Sequence, residues 1–107
     1  MITQVGKTWL EFDEDGFLMH PEAWDETVAT AIAQLDGIGE LTPAHWEVIN
    51  ALREEYKRLG APSGMRHVCH INHLDKHCVE NLFDHKPREA WRIAGLPNPG
   101  EEAKAYM

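Results

Sequence analysis

The chain has little sulfur to work with, since its 107 residues include only two cysteines, Cys69 and Cys78. A disulfide-rich secreted scaffold is thereby excluded, and in a chain read as non-secreted the two are expected as free thiols. Long apolar runs are missing as well. Nothing approaches the roughly 18 consecutive apolar residues of a membrane span, and Met1 to Gly6 lacks the basic-then-apolar pattern of a signal segment. The expectation is a cytoplasmic protein with no membrane partner. Cations are scarce at one end: residues 1–42 hold only Lys7 against nine carboxylates, from Glu11 to Glu40. Residues 43–107 carry nine cations, nine carboxylates and six of the seven histidines, so the whole net charge of -8 lies in the first 42 residues. An acidic surface of this kind repels phosphate backbones and makes nucleic acid an unfavoured partner. There is also no phosphate-cradling glycine loop, internal repeat or low-complexity tract.

What is present is ordinary globular material, 43% apolar and 26% charged, in a chain long enough to bury about 65% of its unfolded surface as one domain. Thr8 to Phe12 alternates polar and apolar, Asp13-Glu14-Asp15-Gly16 reads as a turn, and Phe17-Leu18 resumes apolar character. These predict a short hairpin. The acidic turn lacks the ligand spacing and distal glutamate of a calcium loop, and reads as solvated. Pro21 fits the first position of a helix, with Glu22, Asp25 and Glu26 in its first turns and Trp24, Val28, Ala31, Ile32 and Leu35 as its core stripe. Thr42 as N-cap and Pro43 at N1 open a second helix, which buries Trp46, Ile49, Leu52, Tyr56 and Leu59 and stops at Gly60. Ala61 to Gly64 is a tight connection. Ile71, Leu74, Cys78 and Leu82 then predict a helix from about His70 to Phe83, and a short helix follows over Arg88 to Ala94. From Gly95 the sequence Gly-Leu-Pro-Asn-Pro-Gly excludes regular structure. The class is therefore mostly α, with a helical body over residues 1–94 and an arm over 95–107.

Three constellations carry chemical interest. On a continuous helix His73 and His77, at i and i+4, form the one natural chelating pair, and a transition metal there is the alternative to a polar histidine-rich face with no cofactor. Cys78 falls on the apolar stripe as a small buried hydrophobe, whereas Cys69, flanked by His67 and His70, is the better candidate for a reactive thiol. The helix pair Thr42–Gly60 and His70–Phe83, with Arg53, Lys57, Arg58 and Arg66 nearby, permits a DNA-binding reading, although its connection of about nine residues is long for a helix-turn-helix.

The ordered set Phe12-Asp13-Glu14-Asp15-Gly16-Phe17-Leu18, Pro21, Trp24, Gly37-Ile38, Leu41-Thr42, His45-Trp46, Ile49, Arg53, Tyr56 and Gly60 resembles the DsrC/TusE family, the gamma-subunit-like proteins of dissimilatory sulfite reductase. Ile93-Ala94-Gly95-Leu96-Pro97-Asn98-Pro99 is similar to the same family's C-terminal arm. The resemblance implies a small helical domain with an N-terminal hairpin and a mobile arm, and a place in sulfur relay or beside sulfite reductase. It implies protein partners docking on Ile93, Ala94, Gly95, Leu96, Pro97 and Pro99. It further implies sulfur carried on arm cysteines, one penultimate and, in the sulfite-reductase-linked members, a second before the Ile-Ala-Gly motif. Laid over this chain those two positions are Glu102 and Trp91. Neither a carboxylate nor an indole can become a persulfide. The expectation is a binding or regulatory relative that is not itself an enzyme. The alternatives are a carrier that uses Cys69 or Cys78 and a DNA-binding or metal-responsive regulator.

Overall fold

A computed structural model describes residues 2–5, 8–60, 65–84 and 86–100. Strands β1 (Ile2–Val5) and β2 (Thr8–Glu11) pair antiparallel, with Ile2 opposite Glu11 and Gln4 opposite Trp9. The expected hairpin is thus one arm of a larger feature. Phe12 and Leu18 do bridge across the Asp13–Gly16 turn, but β2's main partner is the preceding strand. The turn is fastened by Asp13, whose Oδ1 accepts the backbone N–H of Asp15 at 2.9 Å and of Phe17 at 3.0 Å.

The first expected helix divides in two. Pro21–Ala23 forms only a 3-10 turn, and α1 (Glu26–Leu35) starts afresh where Asp25, in an extended conformation, accepts the N–H of Val28 at 2.9 Å. Trp24 consequently lies outside the helix. The buried face of α1 is Val28, Ala29, Ile32 and Ala33, small enough to let α5 (Pro87–Ile93) approach, and Leu35 stands 61% exposed instead of joining the core.

Helix α2 (Pro43–Leu59) begins and ends at the expected residues, with Thr42 as N-cap and Gly60 in the left-handed region at φ 69°. Its inner face is Val48, Ile49, Ala51 and Leu52, with Trp46 and Tyr56 half-buried and Leu59 exposed. His45 closes a capping box. Its Nδ1 accepts the Thr42 N–H at 3.1 Å, which leaves the proton on Nε2 to be donated to Leu82 O at 2.8 Å. Its ring also meets Phe83 edge-on at 5.2 Å. Replacing His45 by leucine removes the partner of the Thr42 N–H and of the half-buried Leu82 O and is expected to cost about 1–2 kcal/mol, read as a lower chemical-denaturation midpoint.

The expected helix over His70–Phe83 is corrected. Two shorter helices stand there, α3 (Met65–Ile71) and α4 (Cys78–Leu82). Helix α3 ends in a Schellman motif: Leu74 N–H donates to Cys69 O at 2.9 Å, His73 N–H donates to His70 O at 3.1 Å, and His73 takes φ 57°. Asp75 then restarts the chain by accepting the His77 N–H on its side chain at 2.7 Å and the Cys78 N–H on its carbonyl at 2.8 Å. Apolar periodicity suggested one helix because Leu74 packs on the core from a turn as it would have done from a helix.

Helix α5 opens at Pro87, which therefore starts the helix as N1. It packs on α1, α2 and α4. After it, Gly95 to Gly100 runs without regular structure, as expected. Ala61 to Gly64 and Glu102 lie outside the described residues. Among the described residues no helix is long and apolar enough to cross a membrane.

Candidate functional site at the root of the C-terminal arm

The start of the arm is held by side chains whose hydrogen-bonding groups point at its backbone. Trp24 Nε1–H donates to Ile93 O at 2.8 Å, Arg53 Nη1–H to Ala94 O at 2.7 Å, and Trp91 Nε1–H to Pro97 O at 2.7 Å. These are carbonyls at and just beyond the end of α5, where intrahelical partners run out. The clamp is also layered. The Arg53 guanidinium carbon lies 3.8 Å from the Trp24 ring centroid, and Tyr56 meets the Trp91 ring edge-on at 5.8 Å. Burial pushes the Arg53 guanidinium below its usual value, an effect opposed by the Glu54 carboxylate. An arginine so placed keeps its charge.

Gly95 sits inside this clamp at φ 71°, and a Cβ there would run into Cδ1, Cγ and Cβ of Trp24. Trp91 is 1% exposed. Ile93, Ala94, Gly95 and Leu96 are buried, while Pro97 and Pro99 are half-buried. Of the residues expected to dock a partner, only Pro97 and Pro99 are therefore partly exposed. Further along, Asn98 Nδ2 donates to Asp13 Oδ2 at 3.1 Å and to Asp15 Oδ2 at 2.9 Å. The acidic turn is thus a receptor for the arm as well as a solvated loop. Arg92 completes the anchoring of α5: its Nε–H donates to Gly16 O at 2.6 Å and its Nη1 pairs with Asp36. Beside the clamp a groove of about 470 Å³ is lined by Pro21, Arg53, Tyr56, Lys57, Leu96 and Pro97.

The other candidate residues fall elsewhere. Cys69 and Cys78 are joined in a disulfide, with Cα atoms 6.0 Å apart, so the expectation of free thiols is corrected. On a continuous helix residues nine apart are separated by about 13.5 Å and could not pair. The Schellman turn brings them together. Both sulfurs are interior, with Cys69 1% and Cys78 5% exposed. The same turn dissolves the chelating pair: His73 is exposed at the turn, and His77 precedes α4 with its Nδ1 3.2 Å from Glu80 Oε2. Among the described residues no group of three or more His, Cys, Asp or Glu side chains could hold a metal ion. The expected helix pair for DNA is altered too, because α3 starts at Met65 and ends at Ile71.

Sequence reasoning missed the roles of Trp24, Arg53 and Asn98. The available signal was that Trp24 and Arg53 belong to the motif set shared with the family, although the apolar spacing assigned Trp24 to the core stripe of a helix that begins only at Glu26.

A profile of the family described as DsrC like protein matches residues 4–101. The chain is 36% identical over 100 residues to the Haemophilus influenzae protein named sulfurtransferase TusE homolog, covering 86% of this chain and 91% of that protein. It is 31% identical over 99 residues to the dissimilatory-type sulfite reductase subunit gamma of Nitratidesulfovibrio vulgaris, covering 92% and 93%. Among solved structures, that of Pyrobaculum aerophilum DsrC, the gamma subunit of dissimilatory sulfite reductase, superposes with a TM-score of 0.81 at 32% identity, covering 94% of this chain and 93% of that one.

Proposed function

The chain belongs to the DsrC-like family, and on that premise we propose that it serves sulfur relay as a docking or regulatory protein whose own arm carries no sulfur. The partners are proteins of the sulfur-relay or sulfite-reductase type, met in the cytoplasm, and the protein transfers no group itself. One observation carries the reading: the only two cysteines of the chain are tied to each other in the interior of the body, and residues 93–107 contain none. A persulfide needs a sulfur that can become a thiolate within reach of a donor.

Trp91 adds support, standing where the resemblance sets the second arm cysteine. The indole fills the interior and donates to Pro97 O, so the arm's root is pinned. Glu102, laid on the essential cysteine, carries a carboxylate in place of the nucleophile.

The test is incubation of the oxidised protein and a TusE-type relative with the same persulfide donor, followed by intact-mass spectrometry. The relative is expected to gain one sulfur and this chain none. Sulfur found on Cys69 or Cys78, and passed on to an acceptor, would establish the carrier reading in its place.

A further inference from the structure

We infer that the Cys69–Cys78 bond is a reversible redox switch that sets the shape of the groove between α2 and the segment 70–77. The inference stands apart from the sulfur-relay reading, because it concerns electrons exchanged at this pair and no sulfur cargo. The bond closes a loop of eight intervening residues, and three of them, Ile71, Asn72 and Leu74, form one wall of the groove. Glu47, Ala51 and Glu54 of α2 stand across from that wall in a hollow of about 770 Å³. Besides the cross-link, the wall is held by the turn hydrogen bonds at His73, Leu74 and Asp75, by the Asn72 side chain donating to Val68 O at 2.9 Å and by the packing of Leu74. Helices α3 and α4 are seven and five residues long, well below the length at which a helix holds itself together. Ile71 at the end of α3 and Asn72, His73, Asp75 and Lys76 between the two helices are exposed. The cross-link therefore contributes a large share of the order of this segment.

Reduction is chemically self-contained. A dithiol reductant attacks one sulfur of the pair as a thiolate, the Cys69–Cys78 bond breaks, and the second reductant thiol displaces the mixed disulfide. The reductant leaves as a disulfide, having supplied two electrons and two protons, and Cys69 and Cys78 remain as thiols. Buried thiols behave as small hydrophobes, so the core contacts of Val68, Val79 and Phe83 persist while the wall loosens. In a compartment kept reducing by thiols, the disulfides that do form are usually transient, with a catalytic or redox-sensing role.

The experiment equilibrates the native protein with reduced and oxidised dithiothreitol in varied ratio, traps thiols by alkylation, and follows amide hydrogen exchange in both forms. Both cysteines are expected to alkylate together in the absence of denaturant. Exchange at the hydrogen-bonded amides of His73, Leu74 and Cys78 is expected to quicken about tenfold or more on reduction, with α1 and α5 unchanged. A pair that resists reduction until the protein is denatured is a fixed staple and overturns the inference. Exchange that stays the same on reduction, or quickens equally throughout the molecule, overturns it as well.

Discussion

Gly95→Ala is expected to destabilise the protein by about 4 kcal/mol, at the upper end of what single substitutions do, measured as the loss of free energy in chemical denaturation. Two costs combine. Alanine at φ 71° adopts a left-handed conformation worth roughly 1–2 kcal/mol, and its Cβ overlaps the Trp24 ring. That ring has no easy retreat, since its Nε1 is bound to Ile93 O and its face is covered by Arg53. Gly37→Ala is the matched control. Gly37 has φ 78° but open space around its Cα, so only the backbone cost of about 1–2 kcal/mol applies. Equal losses in the two variants would mean that Trp24 does not cover the root of the arm.

Trp91→Ala is expected to cost about 3–5 kcal/mol, the usual range for emptying a large buried aromatic site. The more informative variant is Trp91→Phe, which retains much of the packing against Tyr56 but has no N–H for Pro97 O. Its stability loss should exceed the roughly 1 kcal/mol of one hydrogen bond only by the smaller ring's missing contacts. Cleavage by a nonspecific protease between Pro97 and Gly100 should become faster in both variants. If Trp91→Phe leaves that cleavage unchanged, the indole fills space without restraining the arm, and one support for a non-carrier function is lost.

Helix α2 shows what kind of signal is legible in a sequence. Thr42, Pro43, His45 and Gly60 act on backbone groups within one turn of themselves, and the observed start and stop follow from them. The break after Ile71 is also local chemistry, carried by His73 and Asp75, but it has weak residue preferences compared with glycine or proline. The apolar spacing of Ile71, Leu74, Cys78 and Leu82 points the other way, and the metal expectation at His73 and His77 follows from it, whereas the free-thiol expectation follows from reading the chain as non-secreted. Strand β1 was missed for another reason: four residues beside a two-residue connection carry too short a pattern to separate from coil.

The candidate site was legible only in part. Its arm sequence and the replacement of the family's arm cysteines by Trp91 and Glu102 were readable. The donors Trp24 and Arg53 lie 69 and 41 residues from the carbonyls they hold, and Asn98 lies 85 from Asp13. No periodicity links residues so distant.

By itself the sequence determined the helical class, the ends of α2, the irregular path after Gly95 and the absence of cysteine from residues 95–107, all of them matters of residue identity or of neighbours within a turn. Tertiary structure decided that the two cysteines meet, that His73 and His77 do not share one helix, and that an indole and a guanidinium from remote segments close on the arm's backbone. Those outcomes depend on distances through space, which are set only when the whole core has packed.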